Sequence, residues 1–255
     1  MFSYFTKLAG PCCLVAIGCA ALCFSLAYSD EPAAVREAKA ALAPLQGLVG
    51  EWNGAGQPRR GSTVGAWSET SAWAWHFSPP TEKAPTADLR ATFKAGKYFS
   101  QITIEPTAKA KQFRLTGTLP DGKSSEEFAA TLDDAGALVA TRSIEKGAAD
   151  KEIPADRPAR ITLKTVANGD RLVVLYERAA GDGYVRLAEV GATRVGGMFA
   201  AGAAGPECIV TGGRGTIAVT HQGQTYYVCC SGCKEAFDAD PAEILAEYQA
   251  KKKTK

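Results

Sequence analysis

Short runs of alternating apolar and polar residues fill most of this chain, from Val49 to Val195. Turn signals separate these runs, at 95–96, 121–122, 134–136, 168–169 and 181–183. A period of two places apolar side chains on one face of a strand, and local turns join such strands in an antiparallel meander. Because closure removes the exposed edges of a meander, the pattern predicts a mainly β fold with a barrel of about ten strands.

The composition indicates a globular chain and gives no sign of a nucleic-acid partner. Of the 255 residues, 46% are apolar, which is enough to bury a core in one large domain or in one domain with an appendage. The formal net charge of +2 comes from 29 basic and 27 acidic residues, with no extended block apart from the tail at 251–255. Such a balanced distribution does not favour nucleic acid.

The first 29 residues have the pattern of an export signal. Lys7 precedes an apolar run that ends in a small-x-small sequence at 27–29, typical of a cleavage site. The run 8–27 is also about long enough for an uncleaved membrane anchor, and Cys19 ends a sequence similar to a lipoprotein attachment site. Under each interpretation the rest of the chain is exported, to the periplasm or beyond, and touches a membrane only through this segment.

Composition predicts the remaining boundaries. An Ala-rich stretch with apolar residues at helical spacing predicts an N-terminal helix at 30–46, followed by the barrel at 47–197. A Gly- and Ala-rich stretch predicts a linker at 198–206, which leaves a small unit at 207–255. About fifty residues form only a small core, so we expect a metal ion or a cross-link to stabilise that unit.

One strand of the predicted barrel carries an aromatic face. Its aromatic residues of one parity are Trp67, Trp73, Trp75 and Phe77. This face fits either the barrel core or the wall of a cavity for a small apolar ligand, since barrels of about eight to ten strands can enclose one. His76 has the opposite parity and is expected at the surface or rim.

The barrel region opens with a Gly-x-Trp sequence at Gly50-Glu51-Trp52. It resembles the first strand of lipocalin-like and nitrobindin-like barrels, in which the tryptophan closes one end. Nitrobindin-like proteins hold haem through a late histidine. This chain has no histidine between His76 and His221, so we expect no haem. The barrel region has no cysteine and a single histidine, and we expect no enzyme active site there.

Four cysteines lie in the small C-terminal unit, at Cys208, Cys229, Cys230 and Cys233. In an exported protein they must be bridged, metal-bound or reactive. The surrounding sequence predicts a hairpin turn at 222–223, a helix that begins near Cys233, and a last helix at 241–248. Asp240 supplies the N-cap of that last helix, ahead of Pro241 at its first position.

The cysteine spacing resembles a known family of small metal-binding units. Twenty residues separate Cys208 from Cys229 and three separate Cys229 from Cys233, within the context GQTYYVCCSGCKEAFDADP. This order of glycine turn, aromatic pair, cysteines, phenylalanine and Asp-Pro closely resembles the TRASH and YHS family of treble-clef-like α+β modules. The resemblance implies that Cys208, Cys229 and Cys233 are thiolate metal ligands, and that Phe237 and Tyr227 belong to the core.

The identity of the metal depends on the number of ligands. Soft thiolates favour zinc or Cu(I) over magnesium or calcium; structural zinc takes four ligands, whereas three thiolates suffice for Cu(I). Many members of the family have another ligand shortly after the first cysteine, where this chain has Thr211 and Gly212. Cys230 and His221 are the candidates for a fourth ligand. Neighbouring strand residues point to opposite faces, so Cys230 joins Cys229 at one ion only where the strand has turned, and is otherwise a buried spare thiol.

Three functions fit this pattern. The first is handling or sensing of copper, zinc or a heavy metal outside the cytoplasm. The second is a non-enzymatic barrel binding protein whose C-terminal unit is held together by structural zinc or a disulfide. The third is thiol redox chemistry at the Cys230-x-x-Cys233 motif, since a helix N-terminus lowers the pKa of a thiol. The lack of a βαβ pattern argues against the third function, while the sequence leaves the first two, and the oligomeric state, open.

Overall fold

The structure is a computed structural model that describes residues 32–78, 86–142, 153–196 and 206–253. The predicted export segment at 1–29, which includes Cys19, lies outside the described residues, as does most of the predicted linker at 198–206. Within the described ranges, no helix is both long enough and apolar enough to span a membrane.

A closed antiparallel barrel of ten strands is formed by these ranges. Its strands are β1 (Gly50–Gln57), β2 (Trp67–Phe77), β3 (Ala87–Lys94), β4 (Gln101–Pro106), β5 (Gln112–Thr118), β6 (Ser125–Leu132), β7 (Leu138–Arg142), β8 (Arg160–Val166), β9 (Arg171–Ala180) and β10 (Gly183–Arg194). Each strand pairs with its neighbours in the chain, and β1 pairs with β10 to close the barrel. The mainly β meander barrel predicted from the alternation is confirmed.

Side chains of one parity on each strand point into the barrel. Trp52 on β1 lies opposite Ser71 on β2 and Arg194 on β10, so the register brings these positions to one interior layer. Other large, fully buried side chains of the core are Trp73, Phe99, Phe128, Leu89, Ile102, Ile104, Leu115 and Leu138. Burial of each such side chain contributes about 1.5–3 kcal/mol to the hydrophobic stabilisation of the fold.

The N-terminal segment closes one end of the barrel. It forms helix α1 (Ala33–Leu42) and a 3₁₀ helix (Ala43–Leu48), which together we call the plug. Leucines 42, 45 and 48 of the plug are buried in the continuous core. The α-helical part ends at Leu42, before the predicted end at 46, because Pro44 lacks the N–H that would continue the helical hydrogen bonds.

Two side chains of the barrel hold the plug in place. Trp52 donates from Nε1 to the carbonyl oxygen of Leu48 at 2.8 Å. The guanidinium group of Arg194 lies 4.1 Å from the Trp52 ring and donates to the carbonyl oxygens of Gly47 and Val49. The tryptophan of the Gly-x-Trp sequence thus lies at the closed end of the barrel, as its resemblance to other barrels implied.

An aromatic cluster fills the opposite end. The Trp67 indole packs on Gly56, where an added Cβ would lie 2.2 Å from the ring, so this close approach requires glycine. Trp67 donates from Nε1 to Glu69 Oε2 at 2.7 Å, and the ring centroids of Tyr98 and Tyr176 are 4.5 Å apart. Glu69 is buried, and this burial raises the pKa of its carboxyl group.

The C-terminal unit is a hairpin followed by two helices. Its elements are β11 (Ile217–His221), β12 (Gln224–Val228), α2 (Ser231–Ala239) and α3 (Pro241–Lys253). Gln222 and Gly223 have φ values of 50° and 76°, so the two-residue turn lies where it was predicted. Asp240 caps α3, since its Oδ1 accepts the N–H of Glu243 at 3.0 Å. Helix α3 runs past its predicted end at 248, because lysines in its last turn interact favourably with the helix dipole.

This unit packs directly on the barrel. Gly232 in α2 lies so close to β2 that an added Cβ would be 1.7 Å from the carbonyl oxygen of Trp75. Arg214 pairs with Asp170, in the turn between β8 and β9, at 3.2 Å. Buried residues of both parts form one hydrophobic cluster. The domain boundary at 198–206 stays a prediction, but the described residues on either side of it share a core.

We expect the substitution Glu69→Gln to change how stability depends on pH. Because the folded pKa of Glu69 is raised, the folded state favours the neutral carboxyl, and wild type loses stability as the pH rises through that value. Glutamine does not ionise, so the free energy of unfolding of the variant should rise relative to wild type as the pH increases from about 4 upward. Urea titrations across this range measure the difference.

Glu127→Gln is the matched control, since Glu127 on β6 is exposed to solvent. Its free energy of unfolding should stay parallel to that of wild type at every pH. A pH-independent difference between Glu69→Gln and wild type would show that the burial of Glu69 does not perturb its ionisation.

Candidate metal centre

The side chains of three cysteines, each from a different part of the C-terminal unit, come close together. Cys208 lies in a tight loop, in which its N–H donates to the carbonyl oxygen of Gly213 at 2.6 Å and its carbonyl oxygen accepts the N–H of Gly212 at 2.8 Å. Gly212 has a φ of 76°, which a residue with a side chain rarely adopts. Cys229 directly follows β12, and Cys233 lies in the first turn of α2. The loop, the hairpin and the helix thus bring together the three cysteines that their spacing had singled out.

The three sulfur atoms lie close enough to one another to bind one metal ion. The Sγ atoms of Cys208, Cys229 and Cys233 all lie within 4.8 Å of one another, and those of Cys229 and Cys233 are 3.5 Å apart. A disulfide needs about 2.05 Å, and all four described cysteines are unbridged. Thiolates that share one tetrahedral zinc ion at about 2.3 Å are about 3.8 Å apart. All three side chains are buried, so the cluster forms a compact thiol site.

Cys230 lies beside this group but outside it. Its Sγ is 3.8 Å from that of Cys229, and it also accepts the backbone N–H of Trp75 at 3.4 Å. Among the described residues, the group of mutually close ligand atoms comprises only the other three cysteines. Cys230 is the N-cap of α2 with an extended backbone, which turns its side chain toward the barrel wall.

His221, the other candidate for a fourth ligand, is not brought to the cysteines. It ends β11, and its ring packs edge-on against Phe237 with centroids 6.3 Å apart. Phe237 is buried, as the family resemblance implied, whereas Tyr227 is 37% exposed and lies at the surface. The side of the hairpin that carries Tyr227 therefore contributes less to the core than the family pattern implied.

The aromatic residues of β2 share one face but do not surround one cavity. Trp73 and Trp75 are buried in the core, while Trp67 and Phe77 are partly buried and pack against it. Within the described residues, Trp67, Trp73 and Phe77 line three separate depressions. Binding of a small apolar ligand in the barrel stays a prediction. His76 lies on the opposite face and pairs with Asp88 at 3.1 Å.

Hydrogen bonds among the thiols lower the pKa values of two of the cysteines and raise those of the other two. Hydrogen bonding with Cys229 and Cys233 lowers the pKa of the Cys208 thiol, and the same two partners lower that of Cys230. Hydrogen bonds with Cys208 and Cys230 raise the pKa of Cys229, and hydrogen bonds with Cys208, Cys229 and Cys230 raise that of Cys233. Hydrogen bonding therefore favours the thiolate at Cys208 and the protonated thiol at Cys229 and Cys233. A metal ion that binds all three sulfurs must displace those protons.

Two side chains that the sequence had not singled out as ligands also contact the sulfurs. Thr211 Oγ1 lies 3.4 Å from the Sγ of Cys208 and 3.5 Å from that of Cys229. Gln46 Nε2, in the plug, lies 3.6 Å from the Sγ of Cys229. Thr211 occupies the region where many members of the family that the cysteine spacing resembles carry another ligand, so its position was visible in the sequence. Gln46 gave no such signal, because it precedes Cys229 by 183 residues.

Comparisons with known proteins add little to this geometry. No family model matches the chain, and no curated protein matches it. The crystal structure of Rv2717c from M. tuberculosis is similar at 18% sequence identity, covering 61% of this chain and 97% of that one, with a TM-score of 0.35.

We expect Gly232→Ala to disturb the cysteine site and the contact with the barrel together. The added Cβ would lie 1.7 Å from a backbone atom of Trp75, so α2 has to move away from β2. Overpacking of this kind costs about 1–3 kcal/mol, which calorimetry or urea unfolding detects. Displacement of α2 should also speed the reaction of the buried thiols with a thiol reagent.

Gly183→Ala is a suitable control, since the nearest atom to an added Cβ there is 3.9 Å away. It should leave both the stability and the thiol reaction rate close to wild type. Equal behaviour of Gly232→Ala and Gly183→Ala would mean that the contact between α2 and β2 does not hold the cysteines in place.

Proposed function

We propose that this chain is an exported protein that binds one thiophilic metal ion through Cys208, Cys229 and Cys233 and handles or senses that metal. The observation that carries the proposal is the group of three buried, unbridged sulfur atoms within 4.8 Å of one another. Membership of the TRASH and YHS family is part of the proposal, and the order of residues around the cysteines supports it.

The donor set favours copper(I) or zinc as the ion. Thiolates are soft ligands that select these metals over magnesium and calcium. Three sulfurs satisfy Cu(I), whereas structural zinc takes a fourth ligand. Cys230 is the nearest candidate, at 3.8 Å from the Sγ of Cys229, but it would have to exchange its contact with the Trp75 N–H for the ion.

Export is supported by the N-terminal sequence, and the thiol cluster is compatible with it. Thiols in an oxidising compartment form disulfides unless something protects them. A bound ion would protect Cys208, Cys229 and Cys233, because their sulfur electrons would be engaged with the metal and the side chains are buried. An exported protein with these unpaired cysteines therefore benefits from bound metal.

A structural zinc site is the second candidate function. The three ligands come from the loop at 208–213, the end of β12 and the first turn of α2. An ion bound there would cross-link the elements of a small unit, as structural zinc does. In that case the barrel would carry the biological function and the metal would stay bound throughout.

Thiol redox chemistry is the weaker alternative. The Cys230-x-x-Cys233 motif lies at the N-terminus of α2, where thiolate formation is favoured. Disulfide exchange requires that a partner sulfur reach the attacking thiolate in line. Cys230 is 6% exposed and Cys233 is fully buried, so both are shielded by the protein. This burial favours metal binding over redox catalysis, and we propose that the protein is not an enzyme.

We expect the cysteines to contribute unequally to metal binding. The full-length chain should bind about one equivalent of zinc or Cu(I), and Cys208→Ser, Cys229→Ser and Cys233→Ser should each abolish tight binding, since structural thiolate sites contribute on the order of 10 kcal/mol. Cys230→Ser should weaken it far less, because Cys230 lies outside the group of three. Elemental analysis measures the amount of bound metal, and competition titrations measure the affinity.

Cys230→Ser is also the internal control, since it removes a neighbouring thiol of the same chemistry. A loss at Cys230 equal to that at Cys229 would indicate a four-thiolate site and favour structural zinc. A metal-free protein with intact disulfides, recovered under reducing and metal-replete conditions, would contradict the proposal.

Removal of the metal should distinguish a protein that handles the metal from one in which the metal only stabilises the fold. If the protein handles metal, chelation under reducing conditions should lower its Tm but leave the C-terminal helices folded, because that unit shares its core with the barrel. At a free metal concentration of about 100 times Kd, binding adds about 2.7 kcal/mol of stability, which readdition should restore. Calorimetry and amide hydrogen exchange compare the metal-bound and the metal-free protein. Global loss of protection at 206–253 on chelation would identify a structural site.

A further inference from the structure

Gln46 connects the cysteine group to the closed end of the barrel. Its Nε2 lies 3.6 Å from the Sγ of Cys229, and its Oε1 accepts the indole N–H of Trp75 at 2.8 Å. Gln46 belongs to the plug, and Trp75 is 2% exposed on the interior face of β2. One side chain therefore joins the N-terminal segment, the barrel wall and a predicted metal ligand.

The indole fixes the orientation of this amide. The tryptophan N–H can only donate, so it must face the carbonyl oxygen of the Gln46 side chain. The amide NH₂ group then faces the Cys229 sulfur, to which it donates.

Besides Trp75 and Cys229, packing against a third group restricts the Gln46 amide. Gly213, at the end of the loop that begins with Cys208, lies so close that an added Cβ would be 2.1 Å from Gln46 Nε2. The neighbouring plug residues Leu45 and Leu48 are buried, which fixes the backbone on either side of Gln46. The amide therefore has little freedom to leave Cys229, and its position depends on the barrel and on the loop together.

We propose that Gln46 is a positioning residue of the metal centre, through which the barrel sets the orientation of Cys229 and the affinity of the site. This inference rests on the proposed function, since it assumes that Cys229 binds a metal ion. Partners that hydrogen-bond to metal ligands orient those ligands and tune their basicity. The centre then extends beyond the C-terminal unit to a residue that the family spacing does not include.

Gln46→Leu in the full-length chain tests the proposal, because it removes the amide while keeping a side chain of similar size. Loss of such a partner typically lowers metal affinity about 10–100-fold. We therefore expect weaker binding of zinc and of cobalt(II), together with a shift of the sulfur-to-cobalt charge-transfer band. The band arises from the cysteine sulfurs bound to cobalt, Cys229 among them, so a role of Gln46 in fold stability alone would leave the band unmoved.

Gly213→Ala reaches the same amide without altering Gln46. Its Cβ should push Nε2 away from Cys229 and shift the cobalt(II) band in the same direction as Gln46→Leu. Gln101→Leu is the control, since its amide contacts Thr103 on the barrel and not a cysteine. It should keep wild-type affinity and the wild-type band.

Three outcomes would overturn this inference, and they differ in what else they contradict. If wild type binds cobalt(II) and both variants match it in affinity and spectrum, Gln46 has no role at the centre and the proposed function stands. If Gln46→Leu weakens binding only in proportion to a lowered Tm and keeps the wild-type band, the role of Gln46 is structural. If wild type binds neither zinc nor cobalt(II) under reducing conditions, the proposed function fails as well.

Discussion

The close contact between Gly232 and the carbonyl oxygen of Trp75 determines where the cysteines around helix α2 lie. Only a hydrogen atom at position 232 lets the N-terminus of α2 approach strand β2 at this distance. That approach brings the Sγ of Cys230 to the Trp75 N–H and leaves Cys229 and Cys233 on the side of Cys208. The division of four cysteines into a group of three and one neighbour follows from this packing.

The plug determines the other side of the site. Arg194 on β10 donates hydrogen bonds to the backbone of the plug, and so does Trp52 on β1, whose indole N–H donates to the Leu48 carbonyl oxygen. Between these fixed points Gln46 extends its amide toward Trp75 and Cys229. The residues that close the barrel thus also line the cysteine group, so the barrel end and the thiols form one packed region rather than two adjoining ones.

Features that depend on local sequence were predictable, and features that depend on long-range packing were not. Strand alternation predicted the barrel, the Gln222-Gly223 pair predicted the turn, and the Asp240-Pro241 sequence predicted the cap, because each of these signals spans only a few residues. The resemblance of the cysteine spacing to the TRASH and YHS family implied the group of three, which the structure brings together. Gln46 gave no signal because the contact spans 183 residues. The burial of Glu69 was equally hidden, since it depends on the close approach of Gly54 on the neighbouring strand, where an added Cβ would lie 3.3 Å from Glu69 Cγ.

The shared core changes what a metal ion would contribute to this protein. A free unit of about fifty residues buries too little apolar surface to fold without help, so a metal ion would be essential to it. Here Val210, Val219, Phe237 and Leu245 are buried in one cluster with the barrel interior, so hydrophobic burial supplies part of the stability that an isolated module would draw from metal. A site supported in this way releases its ion at a smaller cost to the fold. Reversible binding, which metal handling requires and a structural site does not, is therefore compatible with this architecture.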